Sequence, residues 1–288
     1  MAHPATSERS SERHPEALEA RLTPRRAHVT GIDLVEPLDV AEDFHEASRL
    51  YPHVVDPRAN GAGRADLGPD LRAATARAVK RYATCSFRPL PDARLGTHTF
   101  AHALAQRRSR SGTGNELDVC DLASLLHAGY GVTGAVPRTN RPLRTAPSGG
   151  ALYPLELYVV AQRVRGIESA LHHYDPLRHG LERLRTLALP DDLSSLTPYG
   201  ELFASCAAAI VVTGSYWRSR FKYGLRGYRF ALLEAGHVAQ NVLLAVAALQ
   251  LSCVPLGGFF DRRVDELLGI DGVYESSLYL LPLWAYES

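Results

Sequence analysis

Two spacings of apolar residues divide the chain. The segments "LELYVVAQ" (155–162), "SALHHYDP" (169–176), "GLERLR" (180–185) and "CAAAIVVTGS" (206–215) are short apolar or alternating runs bounded by turn residues, a pattern that predicts strands. "SSLYLLPLW" (276–284) reads as a last strand. Helical spacing occurs in "EDFHEASRL" (42–50), "PDLRAATARAVKRY" (69–82) and "THTFAHALAQ" (97–106), then from about residue 121 up to the glycine stop of "GYGVTG". The longest periodic segment, "YRFALLEAGHVAQNVLLAVAALQL" (228–251), predicts one helix about 36 Å long at about 1.5 Å per residue. Its polar residues Glu234, His237, Gln240 and Asn241 share one stripe and the remainder is apolar, so it is expected to be buried nearly all round.

Strands and helices scattered in this way, with no internal repeat, favour an α+β fold. Residues 1–43, polar, charged and aperiodic, are expected to form a flexible lead-in. A helical segment over 44–94 comes next and ends in the Pro-rich "RPLPDARLG"; residues 95–288 form the main domain. Residues 136–147, rich in Pro, Arg and Thr, read as an exposed loop.

A chain of 288 residues with 45% hydrophobic content can bury a substantial core. Its net charge of +1 gives no electrostatic case for nucleic acid. The longest apolar stretch, "VLLAVAAL", has eight residues, where spanning a membrane takes about 20. The N-terminus lacks the apolar core of a secretory signal, so a cytoplasmic location is expected. Cys85, Cys120, Cys206 and Cys253 lie far apart and form no CxxC pair, which points to ordinary buried thiols. The chain has 30 arginines but only two lysines, Lys80 and Lys222. A GC-rich coding sequence produces such a bias, yet Lys can lose its proton in a desolvated site and Arg cannot. Each lysine therefore counts as a candidate.

Several chemistries are set aside. His98 and His102 have i, i+4 spacing but neither an HExxH glutamate nor a nearby third ligand. His172 and His173 fall in a predicted strand and read as structural. Ser148 stands in "APSGGA" and not in G-x-S-x-G, and neither a Walker loop nor G-x-G-x-x-G occurs. Three clusters remain. "QRRSRSG" (106–112) gathers guanidinium groups and hydroxyls suited to a phosphate. "PSGG" (147–150) and "VPLGGFFDRR" (254–263) each offer nearly bare backbone to a flat polar ligand. Together they suggest a phosphorylated cofactor.

In their order, "RRS", "PSGGALYPLELYVV", "FKYGLRGYRFALLEAGHVAQNVLLAVAAL" and "VPLGGFFD" resemble the flavin-dependent nitroreductase superfamily, and within it the SagB-type azoline dehydrogenases. The likeness runs from about residue 44 to 284. It implies a nitroreductase-like α+β fold, with a central, mainly antiparallel sheet flanked by helices, in an intertwined homodimer that binds FMN at the subunit interface. By position, it assigns Arg107, Arg108 and Ser109 to the phosphate, and Pro147, Ser148 and Gly149 to the flavin. Pro255, Leu256, Gly257 and Gly258 would face the isoalloxazine. Ser111 and Ala151 stand where the superfamily commonly has a basic residue and an Asn, so Arg110, or Arg262 and Arg263, are expected to serve the phosphate instead.

The resemblance further implies oxidation of thiazolines or oxazolines to azoles, on a peptide or a carrier protein, with a heterocyclase, cyclodehydratase or synthetase as partner. Lys222 and Tyr223 match the Lys-Tyr pair to which that catalysis is attributed. A lysine base near neutrality requires a pKa about three units below the ordinary value, roughly 4 kcal/mol. Reduction of a nitro compound or quinone, desaturation of another natural-product intermediate, and a non-catalytic scaffold are the alternatives.

Overall fold

The computed structural model describes residues 40–50, 79–96, 98–112, 116–137, 140–186 and 191–285. Most of the predicted lead-in and of the helix at 69–82 lies outside these residues. The chain divides into two compact units, Met1–Glu46 and Ala47–Ser288. The first unit contains nearly all of helix α1 (Val40–Ala47). The second holds the sheets, the other helices and every candidate site residue.

At the centre of the second unit is an antiparallel seven-stranded sheet of order β1-β8-β7-β5-β9-β11-β10. The strands are β1 (Phe87–Pro89), β5 (Leu155–Ala161), β7 (Ala170–Asp175), β8 (Gly180–Thr186), β9 (Ala208–Ser215), β10 (Ser252–Cys253) and β11 (Glu275–Trp284). Two small two-stranded sheets pair β2 (Leu117–Asp118) with β6 (Val164–Arg165) and β3 (Val132–Ala135) with β4 (Pro142–Arg144). All seven residues of β5 are buried, since both faces of the sheet are covered. Strand alternation sends Leu155, Leu157, Val159 and Ala161 to one core and Tyr158 and Val160 to the other.

The first core is closed by α3 (Val119–Tyr130) and α7 (Arg226–Ala248). Asp118 caps α3 by accepting from the Cys120 N–H, and Thr99 caps the shorter α2 (Phe100–Gln106) through the His102 N–H. With 23 residues and a window of mean hydropathy 1.4, α7 is long and apolar enough to cross a membrane, but 56% of that window is buried inside the fold, as in a core helix. It is not buried all round: Leu232 and Leu233 are exposed while Glu234 is buried. The remaining helices are α4 (Asp191–Ser194), α5 (Gly200–Ser205), α6 (Trp217–Tyr223) and α8 (Asp261–Leu268). Several elements depart from the sequence reading: β4 lies inside the predicted loop, β1 overlaps the start of the Pro-rich connector, and helices α4, α5, α6 and α8 have no counterpart in the predicted pattern. The first two are short edge pairings that only a partner strand reveals.

The second face carries charge. His173 lies between two carboxylates, 2.9 Å from Glu156 Oε2 and 3.0 Å from Glu182 Oε2. Burial opposes the charged ring, but these two partners lift its pKa to about 9. Burial likewise pushes Glu156 up, and Arg218 and His173 bring it down to about 2. Lys80 donates to Tyr158 OH at 3.0 Å and Glu275 Oε2 at 2.7 Å, so one of the two lysines is a structural clasp. All four cysteines are free; Cys206 and Cys253 are buried and the other two half-buried.

Candidate functional site

The "PSGG" loop leaves β4 and tightens into a short 3-10 turn at Gly149–Ala151, where Gly150 has φ 65°. Arg141 Nη2 ties this turn down by donating to Gly150 O at 3.0 Å and Ala151 O at 2.6 Å. Ser148 Oγ accepts from the Tyr153 N–H at 2.9 Å. Against this loop stands the end of α6. A Cβ placed on Gly150 would lie 2.5 Å from Tyr223 OH and 2.9 Å from Lys222 Nζ, so both heads converge on a bare α-carbon. Gly149 is bare for a similar reason, since a Cβ there would meet Phe230 at 3.0 Å. Phe230 in turn meets Tyr223 edge to face, with ring centroids 4.9 Å apart.

A cavity of about 300 Å³ opens here between Pro147, Ser148 and Gly149 on one side and Phe230, Leu233 and Glu234 on the other. Glu234 Oε1 accepts from Tyr130 OH at 2.5 Å. Burial pushes the Glu234 carboxyl up to about 7, against the pull of the Ser148 and Tyr130 hydroxyls and the Arg144 guanidinium. That guanidinium lies 4.1 Å over the ring of Tyr130 and 4.7 Å over that of Tyr153. In the sequence Glu234 is legible only as one member of a polar stripe, and Phe230 and Tyr130 carry no signal.

The other two clusters meet each other. Arg107, Arg108 and Ser109 come directly after α2, and Arg108 Nη1 donates to Ala105 O at 2.9 Å and Arg107 O at 2.8 Å. The next residue, Arg110, pairs its N–H with Cys253 O at 3.1 Å, which sets the basic cluster beside the start of the Pro255–Gly258 turn. Leu256 is bridged to Leu280 by N–H···O bonds of 2.8 and 3.0 Å, and its side chain belongs to the second core. Gly257 and Gly258 are exposed, and Cβ atoms there would approach only Tyr279 and Tyr199, at 4.0 Å. Arg262 pairs with Glu266 and Arg263 donates to Ser195 O. Arg110 is exposed and forms no ion pair among the described residues. The residues marked out by the sequence thus form two groups, one around Lys222 and Gly150 and one around Arg107–Arg110 and Gly257.

A seven-stranded antiparallel sheet with an apolar core helix and flanking helices defines an α+β class, and the nitroreductase family model matches residues 104–283. The chain belongs to the nitroreductase family, a flavin-dependent family of oxidoreductases. It is 36% identical over 182 residues, 62% of this chain and 87% of the other, to a protein of Methanocaldococcus jannaschii described as a nitroreductase. It is 30% identical to the trifolitoxin-processing protein TfxB of Rhizobium leguminosarum bv. trifolii, over 60% of this chain and 49% of that one. The chain thus spans about half the length of TfxB. Its fold matches a chain of the E. coli microcin synthetase McbBCD complex with truncated pro-MccB17 bound, at TM-score 0.55 and 22% identity, over 88% of this chain and 95% of that one. These relatives agree with the SagB-type resemblance read from the sequence.

Proposed function

We propose that the protein is an FMN-dependent dehydrogenase that oxidises thiazolines or oxazolines, embedded in a peptide or held on a carrier, to azoles in natural-product biosynthesis. The observation that carries the reading is the convergence of Lys222 Nζ and Tyr223 OH on the bare α-carbon of Gly150. Similarity to the trifolitoxin-processing protein TfxB supports it. The residues fit a flavin: Pro147, Ser148 and Gly149 border a cavity, Gly257 and Gly258 offer open backbone, and a basic cluster stands beside the second turn.

When bound, the flavin supplies the acceptor for the hydride leaving the azoline ring. The chain's own residues must handle the proton on the carbon next to the carbonyl. Lys222 is half-buried, and its Nζ stands beside Gly150, where a substrate seated over the loop would meet it. Tyr223 orients the ring or passes the proton. Arg107, Arg108, Ser109 and Arg110 hold the phosphate, with the Gly257 N–H facing the ring. In this reading a second copy of the chain brings one copy's Lys222 group to the other copy's Arg107 group, a cyclodehydratase or synthetase supplies the substrate, and the work is cytoplasmic. Reduction of a nitro compound or quinone is a second reading, favoured by the greater identity to the M. jannaschii protein.

Single-turnover flavin reduction by an azoline substrate, followed by absorbance, tests the assignment. Lys222→Ala is expected to retain FMN and lose about two to four orders of magnitude in rate, the range for a general base. Lys222→Arg should be nearly as damaging, since a guanidinium keeps the charge but takes no proton. A wild-type rate in Lys222→Arg overturns the base role.

A further inference from the structure

Glu234 is 2% exposed, yet it stands in the wall of the cavity bounded by Ser148, Gly149 and Phe230. The proton positions around it are set by its neighbours. The Leu155 N–H donates to Tyr130 OH at 3.3 Å, so the Tyr130 hydrogen is free to go to Glu234 Oε1, 2.5 Å away. A neutral carboxyl then carries its own proton on Oε2. That oxygen is buried and makes no hydrogen bond among the described residues, the Ser148 hydroxyl being a side chain that acts on the carboxyl besides Tyr130. A buried donor with no acceptor is a group that a ligand can satisfy.

We propose that Glu234 is a ligand-binding residue: as a neutral acid it donates a hydrogen bond from Oε2 to an acceptor atom of a planar heteroaromatic ring bound in this cavity. The inference rests on the flavin reading and deepens it, since a flavin offers carbonyl and imine acceptors. The groups acting on the carboxyl are the Ser148 hydroxyl from the loop, Tyr130 from α3 and Arg144 from β4, and His237 stands one turn along α7 in the same cavity wall. Arg144 is engaged with two aromatic rings, and His237 is exposed. The acid form prevails below about 7. As pH rises through that value the donor is lost and an anion faces the ring, so ligand affinity should fall on the alkaline side.

The probe is FMN itself, titrated into flavin-free protein and followed by quenching of flavin fluorescence between about pH 6.5 and about pH 8.5. Wild-type protein is expected to bind about tenfold more weakly at the upper limit, the effect of one hydrogen bond. Glu234→Gln keeps an N–H donor without an ionisation and should bind with nearly the same affinity at both limits. Tyr130→Phe removes a hydroxyl that favours the carboxylate, so the midpoint of the wild-type change should move to higher pH. Circular dichroism checks that each variant is folded. If Glu234→Gln does not fold, the Tyr130→Phe midpoint decides, and an unmoved midpoint overturns the proposal. Equal pH dependence in wild type and Glu234→Gln removes the role of Glu234 and leaves the flavin reading intact. Absence of FMN binding at every pH removes both.

Discussion

Gly150 shows how much of the site rests on a missing atom. Its φ of 65° lies in the left-handed region, and the space its Cβ would take is filled by Tyr223 OH and Lys222 Nζ. In Gly150→Ala the backbone cost is about 1 kcal/mol, so the fold should survive with a small drop in melting temperature. The Tyr223 hydroxyl, only 2.5 Å from the new atom, has to move. We expect single-turnover flavin reduction to fall by at least about tenfold while the far-UV spectrum stays native. A wild-type rate in this variant would show that the convergence at Gly150 is not needed for turnover. The glycine pair is legible in the sequence as a loop made for close approach. That the approach comes partly from the chain's own Lys-Tyr pair is not, because those residues lie about 70 positions away along the chain.

At the scale of elements, strands β5, β7 and β8 are joined across one face by the Glu156–His173–Glu182 bridge. The His173 pKa is raised from 6.5 to about 9. The folded state therefore holds its proton more tightly, and the linked stability is fully present below about pH 6.5 and lost as pH rises through about 9. The difference corresponds to about 3 kcal/mol. Thermal melts of wild-type protein should fall across that window. His173→Gln should lower the melting temperature near pH 6, because two buried carboxylates lose their shared cation, and should flatten the fall above it. A variant with the wild-type slope would mean that another group carries the linkage. A place in a predicted strand is enough to mark this histidine as structural. Its partners come from neighbouring strands, whose register no local pattern encodes.

For the whole molecule, the two groups of site residues and the exposed Leu232 and Leu233 on α7 bear on assembly. Leu233 also lines the cavity beside Gly149, so a surface that closes that cavity would cover an apolar residue too. Light scattering of FMN-loaded protein should give twice the chain mass of 31.5 kDa. Leu233→Asp should shift the species toward the single-chain mass and weaken FMN binding together with it. A loaded wild-type protein at 31.5 kDa would rule out the two-copy site.

Apolar periodicity by itself determined the central strands, the long core helix and the α+β class, because each is a local pattern of burial repeated over enough residues to stand out. The sequence likewise marked the two glycine loops, the arginine cluster and the Lys-Tyr pair, whose residue types carry their chemistry wherever they stand. Tertiary structure alone decided the edge strand β1, the pairing of β4 inside a Pro-rich stretch, and the joining of Arg110 to Cys253. It also decided that Glu234, on the polar stripe of α7, turns inward to Tyr130 while Leu232 and Leu233 face out. The physical reason is common to all four: short edge pairings and buried polar groups are stabilised by partners distant in sequence, and a one-dimensional pattern records a residue's own preference but not the identity of its partner.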